Sequence, residues 1–114
     1  MLALLTASLV VACHASTATS PVDVSGLPVA TFSIAVNQEL DITMQTIGPG
    51  SYVAPPALSG STIAFLEVTA GTLNVPAGAT QIFHFKGVAP GQTIIRFHNT
   101  DSMRPDAIDT VVVR

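Results

Sequence analysis

Tryptophan is absent from the 114 residues, and cysteine and tyrosine occur once each. A single cysteine excludes an intrachain disulfide framework and any metal site built from several thiolates. Basic residues number four: Lys86, Arg96, Arg104 and Arg114. No basic patch forms, which excludes nucleic acid as a partner. Charged residues make up 10% of the chain, against roughly 25% in an average globular protein. With 48% hydrophobic residues, so little charge argues against intrinsic disorder. Neither a nucleotide-binding glycine motif nor a paired-histidine metalloprotease motif occurs. The length supports one domain rather than two.

Long apolar runs are scarce too. One stretch, residues 1–12, carries no charge and is almost wholly apolar or small. It is too short to span a bilayer as a helix and fits the apolar core of a secretory signal. It closes on Leu9-Val10-Val11-Ala12-Cys13, the pattern of a bacterial lipoprotein signal. A small residue at Ala12 suits the peptidase, and the Cys13 thiol takes the lipid. The Lys or Arg that usually opens such signals is missing, which leaves the natural start open. The expected division is a signal over 1–12, a lipidated flexible tether over 13–30 and a domain over 31–114. The Ser, Thr, Ala and Pro of the tether segment suit a linker. Export to the bacterial cell envelope, with a membrane anchor at Cys13, is the corresponding expectation.

From Val29 onward short alternating runs appear. Phe32, Ile34 and Val36 alternate with Ser33 and Ala35, and Leu40, Ile42 and Met44 with Asp41, Thr43 and Gln45. A period of two marks half-buried strands. Further strands are expected over Ile63 to Val68, Gln81 to Lys86, Thr93 to His98 and Ile108 to Val113. Phe83 and Phe85 share one face, as do Thr93, Ile95 and Phe97; the inward face of the last strand is left open. Gly and Pro break the chain between Ile47 and Ser61, between Gly71 and Ala79, and at Ala89-Pro90-Gly91. The fold class is therefore all-β: an immunoglobulin-like antiparallel β-sandwich of six to seven short strands. Phe32, Ile34, Leu40, Ile42, Phe65 or its neighbour Leu66, Phe83, Phe85, Ile95 and Phe97 are the expected core.

Catalytic chemistry is hard to assemble from these residues. No nucleophile has a visible base. Glu39, Asp41 and Glu67 fall in different segments, so a carboxylate pair for hydrolysis is not indicated. An enzyme is not expected, nor is a cofactor. His84, His98 and Met103 offer the remaining ligand set for a small copper carrier, without a cysteine between them. A non-enzymatic envelope module that binds or adheres through its loops is the other alternative.

Three irregular segments hold most of the Gly and Pro: Gly48 to Ser61, Gly71 to Ala79 and Asn99 to Asp106. Proline restricts the unbound chain, so a proline-rich loop loses less entropy on binding. The order of these features resembles the chagasin-like inhibitors of papain-type cysteine peptidases. Phe32-Ser33-Ile34-Ala35-Val36-Asn37-Gln38-Glu39-Leu40-Asp41-Ile42 is similar to the family's opening pair of strands. Ile47-Gly48-Pro49-Gly50-Ser51-Tyr52 stands where the family carries an Asn-Pro-Thr-Thr-Gly type of loop. Pro76-Ala77-Gly78-Ala79-Thr80-Gln81-Ile82-Phe83 is similar to its glycine-containing loop, and Gly91 to Phe97 with Arg104-Pro105 to its closing strand and Arg-Pro loop. Thr-Thr is missing from the first loop. Asp106 stands where the family has Trp or Phe, and Asp101-Ser102-Met103 lengthens the last loop. The resemblance implies a three-loop wedge that fills a papain-type peptidase cleft. Gly48, Pro49, Gly50, Ser51 and Tyr52 would lie over the catalytic thiol, flanked by Pro76, Ala77 and Gly78 and by Arg104 and Pro105. No metal would be needed, and a monomer is expected.

Overall fold

The computed structural model describes residues 20–26, 29–45, 50–71 and 80–114. These form eight strands: β1 (Val22–Ser25), β2 (Val29–Ile34), β3 (Glu39–Gln45), β4 (Ala57–Leu58), β5 (Ile63–Ala70), β6 (Thr80–Gly87), β7 (Gly91–Phe97) and β8 (Ala107–Val113). They make two four-stranded sheets, in the orders β1-β3-β6-β5 and β2-β8-β7-β4. The first is called here the front sheet and the second the back sheet.

Alternation decides which side chains turn inward. On β7, Thr93, Ile95 and Phe97 are buried while Ile94 and Arg96 are exposed. On β6, Phe83 and Phe85 are fully buried. Phe83 and Phe97 bridge the two sheets edge to face, with ring centres 5.0 Å apart, a geometry that adds quadrupole attraction to area burial. Ile34, Leu40, Ile42, Met44, Ile63, Val111 and Val113 complete the core, and Phe32 packs against it half-buried. The choice between Phe65 and Leu66 is settled by a bulge. The β5–β6 register shifts between Phe65 and Glu67, so Phe65 and Val68 both pack on the core while Leu66 is 47% exposed. An extra residue in one strand does this by breaking the period of two.

The sandwich differs from the sequence reading in three places. Val22–Ser25 falls in the segment expected to be a flexible tether, yet it pairs with Leu40 to Thr43 of β3, and β2 begins at Val29. The sandwich therefore starts upstream of residue 31. Val22 and Val24 alternate inward against the core, a short period-two signal hidden among Ser, Thr and Pro. Second, the break between Ile47 and Ser61 contains a two-residue strand, Ala57–Leu58, paired to β7. Hence the described residues hold eight strands rather than six or seven. Third, β1–β3 and β2–β8 run parallel; the remaining strand pairs are antiparallel.

A tight corner carries the chain from β2 in the back sheet to β3 in the front sheet. Asn37 takes the left-handed conformation, φ 73°, which asparagine tolerates better than most residues. Its amide donates to the Gly87 carbonyl at 2.8 Å, and the Ala35 amide donates to Gln38 Oε1 at 2.9 Å. A Cβ on Gly87 would meet the Ala35 carbonyl oxygen at 2.6 Å, so glycine is needed for this close approach.

Candidate functional site

The three loops selected from the sequence leave the sandwich at one end. Gln45 pairs with Thr80, and Ala70 with Gln81. Phe97 pairs with Ala107 in the other sheet. Thus the stems of the segments 46–49 and 72–79 and the loop 99–106 share an edge of the molecule. Gly48, Pro49, Pro76, Ala77 and Gly78, like Cys13, lie outside the described residues. Gly50, Ser51, Tyr52, Arg104 and Pro105 lie within them.

The first and last loops are joined into one piece. Tyr52 and Asn99 form an antiparallel bridge. The Thr100 amide donates to the Ser51 carbonyl at 2.8 Å, and the Val53 amide to the His98 carbonyl at 2.8 Å. The Ser51 amide donates to Thr100 Oγ1 at 3.0 Å. Gly50 has φ +99°, and a Cβ there would sit 2.6 Å from Asn99 Oδ1 and 2.9 Å from Asp101 Cβ. Glycine is therefore required both for its torsion and for its lack of a side chain. Front-sheet strand β6 joins the seam through Gln81. The Tyr52 amide donates to Gln81 Oε1 at 2.8 Å, and Gln81 Nε2 donates to the Tyr52 carbonyl at 3.1 Å. One side-chain amide thus imitates a strand neighbour.

The last loop folds around Asn99 and Asp101. Asn99 is 2% exposed and its Oδ1 accepts from the Asp101 amide at 2.8 Å. Asp101 Oδ1 accepts from the Met103 amide at 3.0 Å, and its carbonyl from the Arg104 amide at 3.0 Å. Arg104 is half-buried, with Nε 3.7 Å from Asp101 Oδ2, and Pro105 is exposed. Met103 is 87% exposed. Asp106, in the place of the family's aromatic, turns to its own domain. It accepts from His98 Nδ1 at 2.8 Å and from Arg96 at 3.1 Å. The His98 hydrogen bond, helped by the Arg96 contact, outweighs desolvation and holds its carboxyl below the usual range.

The Tyr52 ring is half-buried and stands edge-on to Phe97, ring centres 6.2 Å apart. It anchors its loop to the core. Among the described loop residues, the large apolar side chains left exposed are Met103 and, less so, Val53. Sequence reasoning missed Gln81 and Asn99 as organisers of this end. Each is an ordinary polar residue whose role comes from a contact with chain far away in sequence, or from burial at a loop stem.

A second polar group lies on the outer face of the front sheet. Glu39 and Asp41 on β3 meet His84 on β6, with ligand atoms within 4.8 Å of one another. This corrects the expectation that the carboxylates are spread apart: Glu39 and Asp41 are two apart on one strand and share a face. His84 Nδ1 lies 2.7 Å from Asp41 Oδ1 and 3.5 Å from Glu39 Oε2. Nε2 lies 2.8 Å from Thr69 Oγ1 on β5. Burial lowers the tendency of His84 to carry charge, but the hydrogen bonds and charges of Asp41 and Glu39 outweigh it and raise its pKa. Glu39 is raised as well, mainly by its hydrogen bond to Asp41 and by some burial. The copper set is not assembled. His84 lies on the front sheet's outer face, whereas His98 follows β7 of the back sheet and turns outward to Asp106, so the core separates them.

No family model matches the sequence, and no curated protein matches it. Solved structures do. One is the cysteine protease inhibitor EhICP2 from Entamoeba histolytica, with a TM-score of 0.61 at 15% identity, covering 83% of this chain and 96% of that one. Another is amebosin, with a TM-score of 0.44 at 14% identity, covering 75% and 97%. At such identity the likeness to EhICP2 is one of architecture, and by that measure the chain has the β-sandwich fold of a known cysteine protease inhibitor.

Proposed function

We propose that this chain inhibits papain-type cysteine peptidases by placing the loop end of its sandwich into the peptidase cleft. The observation that carries the reading is the fused seam of Gly50–Val53 with His98–Asp101, on a fold shared with an inhibitor. A loop whose amides and carbonyls are already bonded loses little freedom on binding. Gly48 to Tyr52 would cover the catalytic thiol, with Pro76 to Gly78 on one flank and Arg104-Pro105 on the other. Met103 supplies the apolar anchor that the missing aromatic would have given. A flexible unbranched thioether adapts to an irregular pocket. The inhibitor works from the bacterial cell envelope, held at the membrane by a lipid on Cys13 after removal of residues 1–12.

The test is titration of the folded domain against a panel of papain-type peptidases. Micromolar or tighter reversible inhibition is expected. Met103→Ala should weaken it by roughly five- to tenfold, about 1 kcal/mol of interface energy. Failure against the whole panel would leave an envelope binding module as the better account. Mass spectrometry of the membrane fraction checks the anchor: Cys13 should carry lipid, and Cys13→Ser should release the protein.

A further inference from the structure

Four of the seven acidic residues of the chain stand on one face. Asp23 on β1 is the register partner of Asp41 on β3. Asp41 is in turn the partner of His84 on β6, and His84 of Glu67 on β5. One row therefore crosses all four strands of the front sheet as Asp, Asp, His, Glu. Glu39 lies on the same side of β3 and comes within 3.5 Å of His84. Lys86, the register partner of Glu39, is the one basic residue of these strands. Like charges directly opposite one another on neighbouring strands are destabilising. Concentrating them in a chain with so few charges is a cost that stability alone does not explain.

We propose that Glu39, Asp41 and His84 form a binding site for one late first-row divalent cation, of which zinc is the representative. The donor set is one imidazole nitrogen and two carboxylate oxygens, a mixture that suits zinc. Its spacing is suitable, since the three ligand atoms already lie within 4.8 Å of one another. Thr69 supplies the outer support. Its hydroxyl meets Nε2 at 2.8 Å and fixes the ring so that Nδ1 faces the two carboxylates, the arrangement by which metal-binding histidines are usually oriented. The cation takes the place of the Nδ1 proton, which passes to solvent, while Nε2–H donates to Thr69. Asp23 and Glu67, on either side in the row, add negative field without ligating. The bound ion would tie β3 to β6, and through Thr69 to β5, on the side of the sheet away from the core.

The chain has three histidines and one cysteine, so the competing soft donors are removed first. In the full chain carrying Cys13→Ser, His14→Ala and His98→Ala, calorimetric titration with ZnCl2 should show one saturable site per chain. Glu39→Gln, at a half-exposed position, should weaken uptake by tenfold or more with the circular dichroism spectrum unchanged. His84→Ala should abolish it. A spectroscopic readout accompanies the heat: the His84 ring signals in NMR should shift on ZnCl2 addition. The absence of saturable uptake at millimolar ZnCl2 would overturn the proposal, as would uptake untouched by Glu39→Gln. Equal uptake of CaCl2 would overturn it too, because imidazole nitrogen gives no advantage to a cation that prefers oxygen.

Discussion

Asp41 and Asp109 are both nearly sealed from water, at 8% and 0% exposure, yet they live in opposite settings. Asp41 lies on the outer face of the front sheet, where β6 brings His84 to 2.7 Å. Asp109 lies on the inner face of β8, between Ala107 and Val111, with Ile95 and Ala30 as its register partners. Neither of its oxygens has a hydrogen-bond partner. The Ala30 amide favours its ionised form without reaching bonding geometry, and burial pushes its pKa up to about 6. The outer face can answer an acid with another polar side chain, because its neighbours on the sheet are polar as well. The inner face answers with methyl groups and rings, which make the charged form costly to keep. Whether an acid is an asset or a burden to stability depends on the face of the strand that carries it.

The largest effect sets the scale for the apolar interior. Phe83→Ala should cost about 3–5 kcal/mol, measured by chemical denaturation. Asp109 comes next, with the opposite sign. The unfolded carboxyl titrates near 3.8 and the folded one near 6. The folded state therefore binds this proton more tightly. Its favourable contribution is complete below pH 3.8 and is lost as the pH rises through about 6. Asp109→Val should raise stability at neutral pH by roughly 2–3 kcal/mol and flatten the pH profile between these limits. If the variant is destabilised at pH 7, the contrast with Asp41 collapses. His84→Ala asks whether the Asp41 carboxylate becomes a second orphan. It should cost about 2 kcal/mol, since the partners are only partly shielded from solvent, and His84→Asn should recover part of that. The smallest effect belongs to Asp106. Its depressed pKa means that its contribution is present above the ordinary carboxylate range and fades as the pH falls. Asp106→Asn should speed amide exchange in the 99–106 loop and leave the global melting curve unchanged.

The alternation of Thr93, Ile95 and Phe97, and that of Phe83 and Phe85, was legible because one face is apolar and the other polar. On β8 both faces are apolar or β-branched around Asp109, and pattern alone placed the acid on neither side. The order of the three loops was legible from Gly and Pro, and two of their three stems and the last loop do meet at one edge. The seam between them was not. Gln81 and Tyr52 are joined by contacts across 29 residues, and Asp41 meets His84 across 43. The second pairing follows from sheet register and the first from a side chain reaching a loop backbone, and a period of two reveals neither. Gly50 reads from the sequence as a contact, and its φ of +99° and the crowding by Asn99 make it first a structural necessity.

The bulge at Leu66 reaches beyond core packing. β5 is an edge of the front sheet and, at eight residues, the longest strand exposed in that way. A regular free edge of this length invites another chain to add a strand. The doubled residue bends the edge and puts its free amides and carbonyls out of step, so that an incoming straight strand finds no continuous register to copy. The other edges are short: four residues in β1, six in β2 and two in β4. One misaligned residue thus removes from this edge the continuous register that edge-to-edge pairing needs.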